Sequence, residues 1–259
     1  MISVENLKVE FGVRPLFQNV SFVVNDHERI ALVGKNGAGK STMLNMIAGV
    51  YPLDAGTIEI GGEDVSLLSE PARAKYLGRV FQDPMRGTAA DMQISENLAL
   101  AKRRGKKRTL AWGISNEEKA EYPELLATLG LGLETRMKDK VGLLSGGQRQ
   151  ALTLLMATLT NPKLLLLDEH TAALDPKTAA KVLELTDQIV SERKLTTLMI
   201  THNMNDAIRL GNRLIMMHKG TVVYDVRGEE KSKLTVPDLL EKFEKAAGSE
   251  FANDRMLLG

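Results

Sequence analysis

The sequence predicts an α/β fold with an N-terminal antiparallel β subdomain and an inserted α-helical subdomain. Three observations carry that prediction. A glycine-rich loop, Gly34 to Ser41, lies between an apolar strand and a helix start. Strand and helix patterns alternate from Lys163 to Tyr224, which predicts parallel βαβ units. Between about Pro84 and Asn161 the pattern turns helical.

The elements follow in order. Residues 2 to about 33 read as strands, from the apolar positions Val4, Leu7, Val9, Val20, Phe22 and Val24. Glu28 to Gly34 is a short apolar strand between Asn25-Asp26 and glycine. Lys40 to Ala48 is a helix with Met43, Leu44 and Ile47 on one side and Gly49 as its stop. Thr57-Ile58-Glu59-Ile60 before Gly61-Gly62 is a hairpin signal. Ser115 with Glu118 makes a capping box ahead of a helix from Ala120 to Leu129. Ser145 can cap a second helix, Gln148 to Leu159, which Asn161-Pro162 ends. Lys163 to Glu169 is a buried parallel strand by its leucine run. Pro237 to Ala247 is a short amphipathic helix with Leu239, Leu240 and Phe243 as its apolar face. It packs either on the core or on a second copy. These boundaries give a core of residues 1–85 and 161–235, a helical subdomain 86–160, and a C-terminal helix and tail 236–259.

Composition excludes several classes. At 259 residues and 43% hydrophobic content the chain can bury a substantial core. Its 34 basic and 33 acidic residues nearly cancel, which argues against dedicated nucleic-acid binding. It has no cysteine, so disulfides, thiolate zinc sites and thiol catalysis are excluded. No apolar run approaches the ~18 residues that span a bilayer. The start Met1-Ile2-Ser3-Val4-Glu5 has no signal-peptide pattern. These features predict a soluble cytosolic protein.

The glycine loop has a physical purpose. Glycines 34, 37 and 39 open backbone angles closed to other residues, so amide hydrogens can converge on phosphate oxygens. The following helix start adds positive potential. Lys40 is placed to reach β- and γ-phosphates, and Ser41 to hold Mg²⁺. Asp168-Glu169 ends the leucine strand, where a carboxylate near a metal site is costly unless paired or working.

Three motifs stand in order along the chain: Gly34-Lys35-Asn36-Gly37-Ala38-Gly39-Lys40-Ser41, Leu144-Ser145-Gly146-Gly147-Gln148, and Leu164-Leu165-Leu166-Leu167-Asp168-Glu169. With them the chain, from Phe11 to about Asp225, resembles the ATP-binding subunit of an ABC transporter. The resemblance implies a P-loop NTPase core that uses ATP and Mg²⁺. It implies that Gly34, Asn36, Gly37, Ala38, Gly39, Lys40, Ser41 and Thr42 cradle the phosphates, and that Phe11 stacks on adenine. Phe17 and Phe22 lie close by, and an aromatic at strand spacing is commonly core. The resemblance further makes Asp168 a Mg²⁺ residue beside Ser41 and Gln82. Glu169 polarises the attacking water, Gln82 senses Mg²⁺ and water, and His202 contacts the γ-phosphate. Ser145, Gly146, Gly147, Gln148 and Asp175 then serve the γ-phosphate held by a second copy, so one chain builds half of each site. The implied partners are that second copy, an integral-membrane permease on another chain, and an extracytoplasmic substrate-binding protein. The implied location is the cytoplasmic face of the membrane, with no nucleic-acid partner.

One place departs from a simple transfer of the family pattern. His170 stands after Glu169 where most members carry a small residue or proline. It can meet a partner, titrate near Glu169, or pack as a subfamily variation. Lys102 to Arg108 holds six basic residues in seven. It reads as a solvated loop or as a patch for anionic lipid headgroups, with nucleic-acid contact a distant third. The main reading is an importer ATPase subunit whose permease carries an amino acid or another small solute. The alternative is an ABC ATPase in cofactor assembly or regulation. A nucleic-acid-acting ATPase ranks last, since the chain has one cassette, no cysteine and no long heptad run.

Overall fold

The structure, a computed structural model, describes residues 1–11, 14–106 and 113–247. In chain order the strands are β1 (Ile2–Phe11), β2 (Arg14–Val24), β3 (Arg29–Gly34), β4 (Ala55–Ile60), β5 (Glu63–Asp64), β6 (Leu77–Val80), β7 (Leu164–Asp168), β8 (Thr197–Ile200), β9 (Arg213–His218) and β10 (Thr221–Arg227). The helices are α1 (Lys40–Ala48), α2 (Glu70–Arg73), α3 (Ile94–Lys102), α4 (Asn116–Ala127), α5 (Gly146–Thr158), α6 (Pro176–Glu192), α7 (Met204–Arg209), α8 (Gly228–Ser232) and α9 (Val236–Ala247). Two compact units contain them. One comprises Met1–Ile47, Tyr51–Leu67 and Leu198–Gly259; the other comprises Ala48–Val50 and Leu68–Thr197.

The first unit holds an antiparallel sheet in the order β2-β1-β4-β5. Strand β1 buries Ile2, Val4, Leu7 and Val9, each at most 4% exposed. Strict alternation would skip from Val4 to Asn6. The pairing register instead shifts between Val4 and Leu7, and Asn6 takes φ 51°. This bulge inserts one residue and keeps Leu7 on the buried face. Gly56 lies against the bulge, where a Cβ would stand 2.5 Å from the Glu5 carbonyl oxygen. Gly61 (φ 62°) and Gly62 (φ 81°) turn β4 into β5 as a hairpin.

The same unit carries strands in the order β10-β9-β3-β8. Strand β3 runs parallel to β9, with Ile30 opposite Arg213 and Gly34 opposite Met217. Its Ile30, Ala31, Leu32 and Val33 are buried, as a parallel strand covered on both faces requires. The expectation of parallel pairing as far as Tyr224 is corrected at β10, which returns antiparallel to β9. Lys219 (φ 45°) and Gly220 (φ 76°) make that tight reversal possible. Arg213 is 3% exposed and locks these strands together. Its Nε and Nη2 donate to the Asp225 carboxylate at 2.8 and 2.6 Å, and Nη1 donates to the Val23 carbonyl at 2.6 Å and Glu28 at 3.1 Å. The apolar face expected for α9 is borne out at Leu239 and Phe243, which are buried, and α9 contacts α7.

The second unit pairs β6 parallel to β7 and surrounds them with α2 to α6. Leu164 to Leu167 are each at most 1% exposed. Helix α5 is buried almost throughout. Ser115 accepts from the Glu118 amide at 3.2 Å while Glu118 accepts from the Ser115 amide at 2.9 Å. The capping box is therefore formed, and it starts α4 at Asn116, earlier than the expected Ala120. Among the described residues, no helix is long and apolar enough to cross a membrane.

Candidate functional site

The glycine loop leaves the carboxyl end of β3 and enters α1 at Lys40. A Cβ at Gly34 would stand 2.5 Å from the Met217 carbonyl oxygen, so only glycine lets β3 end so close to β9. Gly39 takes φ 99°, and a Cβ there would lie 2.6 Å from the Phe17 ring. Phe17 is fully buried and braces the loop from beneath. The Ala38 amide bonds back to the Lys35 carbonyl at 3.1 Å, while the Ala38 carbonyl accepts from Gly220 at 3.2 Å. Asn36, Gly37 and Ser41 are exposed, and Thr42 is half-buried beside them. The Lys40 side chain is only 5% exposed, and its ammonium donates to the carbonyls of Gly34 at 2.6 Å and Lys35 at 3.1 Å. The loop thus presents backbone and an ammonium at a helix start, the chemistry a polyphosphate needs.

His202 lies in the same unit, exposed between β8 and α7. Asn203 caps α7 by accepting from the Asp206 amide at 3.2 Å. Burial raises the Asp206 carboxyl above its ordinary range, opposed by the nearby Arg209 and His202 charges. Phe11 closes β1 opposite Arg14, but its side chain lies outside the described residues.

The other expected residues lie in the second unit. Strand β7 ends at Asp168, whose carboxylate is 3.8 Å from the Arg79 guanidinium. Arg79 in turn stacks 4.5 Å from the Phe81 ring centroid. Glu169 adopts φ 44°, a conformation uncommon for a side-chain-bearing residue, and its carbonyl accepts from the Ala172 amide at 2.9 Å. His170 turns inward, 2% exposed, with Nε2 3.0 Å from Thr186 Oγ1. Burial lowers its pKa to about 4, so it packs as a neutral ring. Of the three readings for His170, the packing role is the one the structure supports.

Helix α5 opens two residues earlier than expected, at Gly146. Ser145 accepts from the Gln148 amide at 3.3 Å and Gln148 accepts from the Ser145 amide at 3.2 Å. A Cβ on Gly146 would meet Leu174 Cδ2 at 3.3 Å, and one on Gly147 would drive into Thr178 Cγ2. The two glycines therefore let α5 start directly against the first turn of α6. Asp175 caps that turn, accepting from the Thr178 amide at 3.1 Å. The hydrogen bonds from Thr178 hold the Asp175 carboxyl below its usual range. Gln82 is exposed just after β6.

Sequence reasoning missed Arg149 and Gln150 in the first turns of α5. Both are buried, and both bond to loop backbone. The signal was present in outline: position 150 shares a helix face with buried Leu154 and Thr158. Three residues of the basic run have partners within the chain. Lys102 pairs with Glu121, and Arg103 donates to Glu118 at 2.9 Å and to the Ala99 carbonyl at 2.8 Å. Arg104 donates to the Ala157 carbonyl at 2.8 Å and Thr160 Oγ1 at 2.9 Å, and burial lowers its pKa. These three cations are engaged inside the helical unit. Lys106 is exposed, while Lys107 and Arg108 lie outside the described residues.

The residues at hand fit a Mg-ATP complex. Among the described residues no cluster of three or more His, Cys, Asp or Glu could hold a metal by itself. Mg²⁺ needs no such cage when substrate phosphates supply part of its shell, and the hydroxyl of the glycine loop suits its preference for oxygen.

Comparison with known proteins gives the same direction. Residues 17–172 match the model of the ABC transporter family. The chain is 46% identical to the tyrosine transport ATP-binding protein of Clostridioides difficile (strain R20291), over 95% of this chain and 100% of that protein. It is 37% identical to the methionine import ATP-binding protein MetN 1 of Pseudomonas putida, over 81% of this chain but only 61% of the relative. A crystal structure of the ADP conformation of an ABC transporter's ATP-binding cassette superposes with TM-score 0.77 at 28% identity, covering 94% of this chain and 98% of the other. A dimeric cassette in a post-hydrolysis state, bound to ADP and Pi, gives TM-score 0.73 at 27% identity, over 88% and 98%. The chain belongs to the ABC transporter family, as an ATP-binding subunit with a P-loop ATPase fold.

Proposed function

We propose that this subunit hydrolyses Mg-ATP within a dimer of itself and so drives import of an aromatic amino acid through a separate permease. The observation that carries the reading is the match along the full length of a tyrosine transport subunit, with the glycine loop, Asp168-Glu169 and Ser145-Gly146-Gly147-Gln148 all present. The substrate class follows that relative. Importers of this kind have an extracytoplasmic substrate-binding protein and a permease, and the ATPase sits at the cytoplasmic face of the membrane.

In this reading the amides of Gly34 and of Asn36 to Thr42 receive the phosphates, and the Lys40 ammonium exchanges its carbonyl partners for β- and γ-oxygens. Ser41, Asp168 and Gln82 serve the Mg²⁺ that arrives with ATP. Glu169 accepts a proton from the water that attacks the γ-phosphorus, and the bond to the β-phosphate oxygen breaks to release ADP. Lys40 and His202 offset the charge that develops on the transferred group. Phe11 supports the adenine. Ser145, Gly146, Gly147, Gln148 and Asp175 complete the site of the second copy, where the start of α5 meets the γ-phosphate.

The test compares turnover with binding. Glu169→Gln keeps the shape of the side chain and removes the base, so turnover should fall ~10²-fold or more while ATP still binds. Equal loss of binding and turnover would make Glu169 structural and end this assignment. Substrate class is tested separately in proteoliposomes with the permease: ATP-dependent tyrosine uptake supports it, and competition only by unrelated solutes refutes it.

A further inference from the structure

Gln150 is 0% exposed on a helix that also buries Ala151, Leu152, Leu154 and Leu155. Its Nε2 donates to the Phe81 carbonyl at 3.0 Å. Its Oε1 is buried without a hydrogen-bond partner. A buried amide satisfied at only one end destabilises a core, and an apolar residue of similar shape avoids that penalty. What the amide does here is fix one carbonyl, and that carbonyl belongs to the residue immediately before Gln82.

The neighbouring contacts point the same way. Arg149 Nη1 meets Met85 Sδ, while its Nη2 donates to the carbonyls of Gly142 at 3.0 Å and Leu144 at 3.1 Å, and its Nε to Val141 at 3.3 Å. A Cβ on Gly87 would stand 2.5 Å from Thr153 Cγ2. Residues 149, 150 and 153 of α5 therefore hold the segment 81–87 on one side, and Arg149 holds the approach to Ser145 on the other. The backbone that carries Gln82 is referenced to the same helix whose N-cap is Ser145.

We infer that Gln150 is a positioning residue for Gln82: through the Phe81 carbonyl it sets where the Gln82 amide stands and ties that position to the start of α5. This rests on the role assigned to Gln82 above. Gln150 itself is fully buried. Its contribution is to limit the error in placing Gln82, and misplacement on the scale of 1 Å can cost up to about 100-fold in rate.

The experiment is steady-state ATPase of the purified full chain with Mg-ATP. Gln150→Leu should lower kcat about tenfold while the apparent KM for Mg-ATP stays within about twofold. In a Gln82→Ala background the same change should add nothing, since the group it positions is gone. A full further tenfold loss in that background would overturn the inference. If Gln82→Ala alone leaves turnover unchanged, the role of Gln82 falls and this inference falls with it. A second variant covers a folding defect in Gln150→Leu. Gln150→Glu keeps the shape, and burial raises its carboxyl pKa. The protonated carboxyl can donate to Phe81 and the carboxylate cannot. The ratio of Gln150→Glu to wild-type kcat should therefore rise as pH falls. A ratio flat with pH would contradict positioning through that hydrogen bond.

Discussion

Lys40 and Arg104 are both cations drawn into the protein, and both spend their charge on main-chain carbonyls. Their partners separate them. Lys40 bonds to Gly34 and Lys35, six and five residues away in an exposed glycine loop. Arg104 bonds to Ala157 and Thr160 at the carboxyl end of α5, where Arg193 also donates to the Thr158 carbonyl at 2.9 Å. Unsatisfied carbonyls at a helix end attract cations, so Arg104 serves as a cap. A ligand phosphate can replace the loop carbonyls around Lys40 without dismantling anything. It cannot do so at the end of α5. A motif with fixed spacing therefore marked a charge resting on loop carbonyls that a ligand can replace, and a cluster defined only by composition contained Arg104, which caps a helix.

Mutation should act most strongly at the loop. Lys40→Ala should weaken ATP binding by about 10- to 100-fold, the range for losing a hydrogen bond to a charged group. Titration of fluorescent ATP measures it, and an unchanged affinity would place Lys40 among the structural cations. Next comes His170. Its folded pKa, about 4, lies below the ordinary 6.5, so below pH 6.5 the unfolded chain binds the proton first. The stability it confers is present above pH 6.5 and is lost as pH falls toward 4, by on the order of 3 kcal/mol. Chemical denaturation at several pH values should show this slope in the wild type and a shallower one in His170→Leu. Identical slopes would mean the ring is not held neutral. Arg104→Ala should destabilise the chain by about 2 kcal/mol through lost bonds at the end of α5. The smallest effect is at Lys106→Ala, within roughly 0.5 kcal/mol. Equal thermal shifts for these last two would erase the distinction between them.

Much of the fold was legible where local chemistry dictates backbone shape. Helix α1 runs from Lys40 to Ala48 as expected, because glycines bound it on both sides. Ser145 and Ser115 cap the helices assigned to them. Helix α5 was placed two residues late because glycine reads as a helix breaker. In the first turn, close packing against Leu174 and Thr178 outweighs that preference. What stayed hidden depends on contacts distant in sequence. The bulge at Asn6 shows only as a broken alternation, and its cause lies in the pairing with β2 and β4. Arg149 and Gln150 are polar letters, buried because the segment 81–87 and the loop before Ser145 fold over them. The glycine loop's place between strand and helix was readable from spacing, while the bonds from Arg149 and Gln150 to loop carbonyls were not.

In the proposed dimer one chain holds half of each site, with Lys40 acting on its own ATP and Ser145 acting on the partner's. Mixing Lys40→Ala and Ser145→Arg chains tests this most directly, because each alone should fail. In a mixed dimer one composite site is intact and the other carries both lesions. ATP-dependent dimerisation, followed by sedimentation velocity, should be absent for either variant and return when the two are mixed. If proven mixed dimers form under other conditions and still show no response to ATP, the shared site is contradicted.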